Sequence, residues 1–377
     1  MGIEGLLKRI KETYPEVVLE VPLSDLKGYR VAVDMSIYFY KFIRSNPNTW
    51  KKTMVEFLLS LKKSKITPIC IFDGPNPPKE KILTQLSRKE QSESAIGKMT
   101  RCEEHLKKVK EALYGDEKLT EEDIFSMKQD IGMQRQKSVD WEDLHSILEK
   151  LTSAIATYDK QTFPVTDKDK EFARSIIEAL GFPCMVADGE AEGLCSFLTH
   201  KNCDAVLTED SDVLVYGAKI MLFNYDFRTS TVKAIVAENL FKKMNVKKST
   251  FVDLAIFLGC DYNKDPETGK PFKIKGLYPE AKKPKPTAYG NDKRWKLFME
   301  GWVSTLEEAE KYFDDMSVVN YERIREIFTT PPDDLIRAPY SIPPNEALLK
   351  KLFKTHSINI NLTNLLEVFS PPDFELI

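Results

Sequence analysis

An α/β protein, with a mixed sheet flanked by helices, is the fold class this sequence predicts, and three observations carry it. Short apolar runs ending in an acid occur at R-V-A-V-D (Arg30–Asp34), I-T-P-I-C-I-F-D (Ile66–Asp73) and A-V-L-T-E-D-S-D (Ala205–Asp212). Such runs read as buried parallel strands. The segment between the first two spaces its apolar residues at helical intervals, as a crossover between parallel strands must. At 377 residues, finally, the chain is long enough to bury a large core, with room for two subdomains.

Taken in order, Ile3, Leu6, Leu7 and Ile10 predict a short amphipathic helix. The strand ending at Asp34 follows, then crossover helices over Ile37–Lys65, then the strand ending at Asp73 before a Gly-Pro break. From Lys79 to Asp169 the chain turns charged, with sparse apolar residues and no strand pattern, which predicts helix and flexible connection. Phe172, Ile176, Ile177 and Leu180 share a helical face that Gly181 ends. F-P-C-M-V-A-D reads as a strand, and G-E-A-E-G-L-C-S-F-L opens a helix with Ala191, Leu194, Cys195 and Leu198 inward. K-I-M-L-F-N-Y and T-V-K-A-I-V predict paired strands, and Thr250–Gly259 predicts a helix that delivers Asp261. Helical patterns broken by prolines complete the chain without a legible site.

Composition narrows the function classes. No run of 18 apolar residues and no signal-peptide pattern is present, so a soluble, intracellular protein without a membrane partner is expected. Gly2 is followed by Leu6 where a myristoylation signal wants Ser or Thr. The six cysteines are scattered through apolar segments and never form C-x-x-C, and the four histidines lack ligand spacing, which argues against disulfide and zinc frameworks. The net charge of −3 hides an uneven distribution. Lys264 to Lys296 carries ten Lys and Arg residues against four acids, the kind of local patch that phosphate binding requires.

The acids are the informative residues. If the backbone stays extended, Asp210 and Asp212 point to the same side, where they repel unless a cation intervenes. Glu190 and Glu192 would diverge by about 200° in a regular helix, so only a strand-to-helix junction lets both face one centre. Each acid alone could be a solvated loop end, or a helix-dipole partner in the case of the two glutamates. Together Asp34, Asp73, Glu190, Glu192, Asp210, Asp212 and Asp261 converge on one sheet edge and could not all ionise without cations. Oxygen-only donors select Mg²⁺ or Mn²⁺, and two such ions roughly 4 Å apart suit phosphodiester cleavage.

M-G-I-E-G-L, V-D-M-S-I-Y-F-Y, F-D-G-P, D-G-E-A-E-G, T-E-D-S-D-V-L and F-L-G-C-D-Y occur in the order found in flap endonucleases, and over Met1 to Pro279 the chain resembles this XPG-like family of structure-specific nucleases. The resemblance implies a PIN-like fold of the 5′-3′ exonuclease type, with a helical arch and a C-terminal helix-hairpin-helix region. It implies a two-Mg²⁺ site made by the seven acids, with Mn²⁺ able to substitute. It also implies cleavage of branched DNA near the base of a 5′ flap in replication or repair, some 5′-to-3′ exonuclease activity, and a nuclear location. Tyr40 falls where the family stacks an aromatic on a base, and Lys81 and Arg88, two turns apart on one expected helix face, match the basic pair of the gateway helix. Gly276 and Pro279 keep part of the hairpin, while Tyr278 replaces its second glycine; Lys282, Lys283 and Lys285 follow as candidate phosphate contacts. The corresponding division of the chain is 1–90 N-terminal nuclease region, 91–166 enlarged arch, 167–262 internal nuclease region, 263–300 basic hairpin-like segment and 301–377 helical extension.

The tail L-E-V-F-S-P-P-D-F-E-L-I lacks the Gln and paired aromatics of a sliding-clamp motif, and a monomer is expected. Within the nuclease reading, an exonuclease or an RNA-directed enzyme is the nearest rival. A phosphatase of the haloacid dehalogenase type, with Asp210 as nucleophile in D-S-D-V, would leave Asp34, Asp73 and the glutamate pair unexplained. A scaffold that binds DNA without cutting it is the remaining class, kept open by the altered hairpin.

Overall fold

Valine and isoleucine runs supply the middle of a seven-stranded sheet in the structure, a computed structural model that describes residues 3, 5–115, 118–131, 139–262, 291–310, 320–332 and 336–370. Its strands are β1 (Leu19–Pro22), β2 (Arg30–Asp34), β3 (Thr67–Phe72), β4 (Cys184–Val186), β5 (Ala205–Leu207), β6 (Ile220–Asp226) and β7 (Thr231–Val236), in the order β1-β7-β6-β5-β2-β3-β4. Strand β2 is parallel to both β3 and β5, β3 to β4, and β5 to β6; β7 returns antiparallel to β6, and β1 antiparallel to β7. This is the mixed α/β sheet that the sequence predicts. Val31, Ala32 and Val33 of β2 are buried on both faces, as befits a strand flanked by parallel neighbours and covered by helices.

The helices come where apolar spacing changes from two to about 3.6 residues. They are α1 (Leu6–Thr13), α2 (Met35–Ser45), α3 (Trp50–Lys63), α4 (Ile82–Tyr114), α5 (Glu121–Ile131), α6 (Leu144–Thr162), α7 (Asp167–Ala179) and α8 (Ala191–Leu198). After β5 come α9 (Asp212–Tyr216), α10 (Ala237–Met244) and α11 (Lys248–Leu258), then α12 (Asn291–Met299), α13 (Leu306–Glu310), α14 (Tyr321–Thr329), α15 (Glu346–Thr355) and α16 (Leu362–Glu367).

The chain divides into two compact units. One comprises Met1–Tyr40, Lys51–Thr84 and Asp167–Ile377 and contains the sheet; the other comprises Lys41–Trp50 and Gln85–Thr166 and is helical where described. The helical unit has a core of its own, in which Cys102, Val109, Met127, Ile147 and Leu151 are buried. That unit also buries a paired carboxylate. Asp130 accepts from Arg101 and lies 3.2 Å from His105 Nε2, while the Tyr158 hydroxyl donates to the Asp130 carbonyl oxygen at 2.6 Å.

In the sheet unit a strap after α14 fastens the C-terminal helices to the sheet. Arg30 donates to the carbonyls of Ala338 and Pro339, and the Ile342 N–H donates to the Gly181 carbonyl at 2.9 Å. Gly181 has φ +78°, and a β-carbon there would stand 2.0 Å from the Ile342 carbonyl oxygen, so glycine both ends α7 and lets the strap approach. Among the described residues no helix is long and apolar enough to cross a membrane, and all six cysteines are free thiols.

Candidate active site

Parallel strands all open at the same sheet edge, and the acids sit where they open. Asp34 ends β2, Asp73 follows β3, Glu190 and Glu192 lie at the start of α8 just after β4, and Asp210 and Asp212 follow β5. Asp261 follows α11, and its charge acts on both Asp212 and Lys81.

Backbone geometry delivers these side chains. Glu190 caps α8 with extended torsions (φ −95°, ψ 140°) but does not bond its own helix, so its carboxylate is turned toward the site, while Glu192 lies two residues inside the helix. That junction is what the sequence required for both to face one centre. The extended continuation expected after β5 does not occur. Ser211 is already helical (φ −71°, ψ −12°), and the Asp212 N–H donates to Asp210 Oδ1 at 3.0 Å. A turn, favoured by Asp bonding backbone two residues on, thus brings the pair together in place of strand alternation. The Ile3 N–H donates to Asp212 Oδ1 at 2.8 Å, and Asp73 Oδ1 accepts from the Ala191 N–H at 2.9 Å.

Asp34 is fully buried and accepts from Thr208 Oγ1 at 2.9 Å and from the Ile37 N–H at 3.2 Å. Burial, then the charge of Asp73, pushes its carboxyl up to about 7. Burial and then Asp34 hold Glu192 well above the carboxylate range, and burial and then Asp210 do the same for Asp212. Glu192 Oε2 is buried without a hydrogen-bond donor among the described residues. An unmatched acceptor in a cluster of crowded carboxylates fits a site that takes a cation. The donor set is oxygen throughout, which suits Mg²⁺ or Mn²⁺.

Among the described residues, no three His, Cys, Asp or Glu side chains are already disposed to hold an ion directly. Their oxygens instead take Thr208, backbone N–H groups, Lys81 and Tyr262. Mg²⁺ tolerates such a set because it keeps several waters and needs only one or two direct carboxylates.

Lys81 pairs with Glu190 Oε1. Burial lowers the lysine's pKa, but Glu192, Glu190 and Asp261 outweigh it and hold the ammonium charged. It does not share a helix face with Arg88: Lys81 ends a 3₁₀ turn, Lys79–Lys81, whose N–H bonds Pro78, and α4 begins at Ile82. Pro77 and Pro78 disfavour α torsions at Asn76 and Pro77, so no helix begins ahead of that turn. Arg88 lies on α4, its side chain outside the described residues.

Tyr40 is 37 % exposed, whereas Tyr38 is 1 % exposed and stacks on Phe57 at 4.8 Å. Gly276, Lys282, Lys283 and Lys285, with Tyr278 and Pro279, lie outside the described residues. Arg294, counted in the basic patch, is not available to phosphate. It is buried and donates to the Phe257 and Leu258 carbonyls that end α11.

Sequence reasoning passed over Thr208 and Tyr262. A polar residue in an otherwise apolar strand end marks the first; nothing in the spacing marks the second, which merely follows Asp261.

The family models agree with this geometry. The XPG N-terminal domain matches residues 1–95 and the XPG I-region residues 181–261, segments that hold all seven acids. A probable RAD2-like endonuclease of Invertebrate iridescent virus 6 is 26 % identical over 402 residues, spanning 96 % of this chain and 90 % of that protein. Flap endonuclease 1 of Plasmodium falciparum is 26 % identical over 398 residues, with 97 % of this chain and 52 % of that protein covered. The chain thus spans about half the length of the Plasmodium falciparum flap endonuclease. Solved structures sharing the fold include the catalytic core of Rad2 in complex with DNA substrate, at TM-score 0.58 and 18 % identity over 95 % of this chain and 98 % of that one. Flap endonuclease-1 from Methanococcus jannaschii aligns at TM-score 0.55 and 20 % identity over 93 % of both chains. With both family regions in register around the carboxylate edge, the chain is similar to the XPG-like family of structure-specific nucleases.

Proposed function

We propose that this nuclease is Mg²⁺-dependent and cuts branched DNA near the base of a 5′ single-stranded flap. The observation that carries the reading is the gathering of the acids at one sheet edge, where three buried carboxyls are held above their usual range. Asp34, Asp73, Glu190, Glu192, Asp210, Asp212 and Asp261 would hold two Mg²⁺ ions, directly or through water, with Mn²⁺ as a substitute. Bound there, the ions supply an acidified water and neutralise charge on the departing oxygen.

The chain's own residues orient and exclude. Thr208 and the Ile37 N–H fix Asp34, the Ile3 N–H fixes Asp212, and the Asp212 N–H fixes Asp210, so these three carboxylates need not reorganise far. Lys81 places a positive charge among the acids, where the scissile phosphate would need it. The exposed ring of Tyr40 offers a surface for base stacking, worth about 1–3 kcal/mol per base. The relatives named for flap endonuclease activity support DNA and a 5′ flap over other substrates. We take the protein to act as a monomer in the nucleus, in replication or repair, without a sliding clamp held through its tail. Light scattering and fractionation check state and place.

The test is Mg²⁺-dependent cleavage of end-labelled 5′-flap, bubble, nicked and single-stranded DNA by the wild type and Asp212→Ala. Cutting near the flap base by the wild type is expected, with a loss in the variant exceeding the roughly 10–100-fold typical of an outer-shell partner, and with DNA binding retained. Near-full activity in Asp212→Ala overturns the two-ion assignment. Cutting only of RNA would move the substrate class, and no cutting of either would favour a binding scaffold.

A further inference from the structure

Both carboxylate oxygens of Glu190 are taken by this chain. Lys81 Nζ donates to Oε1, and the Tyr262 hydroxyl donates to Oε2. Behind Tyr262 stands Tyr216, with the two hydroxyl oxygens 2.7 Å apart. A phenol has one proton. Since that of Tyr262 goes to Glu190, the proton between the tyrosines must come from Tyr216, and the relay is polarised toward the carboxylate. Both rings rest edge-on against Phe328, at centroid distances of 5.0 Å for Tyr216 and 5.4 Å for Tyr262. Phe328 is 2 % exposed and belongs to α14 of the C-terminal region, beyond every acid of the site.

We propose that Tyr262, backed by Tyr216 and seated on Phe328, is a positioning residue for Glu190, so that helix α14 sets the site's affinity for a divalent cation without contributing a ligand. The inference rests on the metal-dependent reading above. The physical need is plain. Glu190 sits at a helix cap that it does not bond, so its own backbone leaves the side chain unfixed. A long carboxylate side chain loses rotamer freedom when it takes up an ion, and a donor that has already fixed it removes that cost from binding. The tyrosine's ring is held both by the Tyr216 hydroxyl and by edge-on contact with Phe328 of α14. The C-terminal region, in which the sequence shows no site, thereby acquires a role in one.

Mn²⁺ binding, followed by electron paramagnetic resonance without DNA, separates positioning from mere structure. Tyr262→Phe keeps the ring and removes the proton. It is expected to weaken Mn²⁺ binding about 10-fold or more and to raise the half-saturating Mg²⁺ for cleavage in parallel, with activity recovering at saturating Mg²⁺. Tyr216→Phe and Phe328→Leu should shift binding the same way by less, and either serves if Tyr262→Phe fails to fold. A Tyr262→Phe protein that melts lower but binds Mn²⁺ as the wild type does overturns the inference alone. A wild type that binds no Mn²⁺ overturns the metal reading and this inference with it.

Discussion

At position 74 a β-carbon would stand 1.9 Å from the Ala187 carbonyl oxygen and 2.3 Å from that of Asp188. Only glycine lets the loop after β3 lie against the loop before α8, where the Gly74 N–H bonds the Gly189 carbonyl at 2.7 Å. That lacing fixes the separation of Asp73 from Glu190. Gly74→Ala is therefore expected to destabilise by about 1–3 kcal/mol, the usual cost of overpacking, and to depress cleavage further than the melting shift alone implies. Thermal denaturation and a flap-cleavage assay on the same preparation check it. The acids themselves were legible because each ends an apolar run. Their partners were not, since Thr208, Ser36 and the Ile3 N–H reach them across tens to hundreds of positions, and no local pattern encodes a hydrogen bond of that span.

Elements were legible where periodicity was strong and misread where a turn intervened. The strands β2, β3 and β5 and the helices α2, α3, α7 and α11 follow from apolar spacing alone. The bend at Asp210–Asp212 did not, because a side-chain-to-backbone bond decides it, and nothing in the apolar spacing marks the 3₁₀ turn at Lys81. Charge counting misplaced Arg294 for a related reason: a guanidinium can serve carbonyls at a helix end as well as phosphate. The lysines of the basic segment remain the candidates for duplex contact. Reversing Lys282, Lys283 and Lys285 to Glu is expected to weaken duplex binding and flatten its dependence on salt, since each lost phosphate contact removes close to one unit of slope. Fluorescence anisotropy across a salt series measures both, and an unchanged slope would place this segment elsewhere.

For the molecule as a whole the crowded acids set a pH dependence. Asp34 ionises at the ordinary 3.8 when unfolded and at about 7 when folded. The folded state therefore keeps a proton that the unfolded chain releases. Its contribution is fully present below 3.8 and is lost as pH rises toward 7. Glu307 acts in the opposite direction. The Arg325 hydrogen bond lowers it from 4.5 to about 2, so stability present above 4.5 is lost as pH falls through that range. Metal-free protein is thus expected to be most stable where these windows overlap, at about pH 4, and to weaken toward neutral pH. Added Mg²⁺ should offset the neutral-pH loss by favouring the ionised carboxylates. Chemical denaturation at a series of pH values, with chelator and with Mg²⁺, reads the effect directly.

The bond from the Ile3 N–H to Asp212 Oδ1 joins residues 209 positions apart, and Asp261 lies later still. On a ribosome the first of these residues waits, exposed, until the others have been synthesised. The strands that carry Asp34 and Asp73 can pair early, yet the set cannot close until most of the chain has left the exit tunnel. On the proposed assignment of the seven acids, competence to cut arrives late in synthesis.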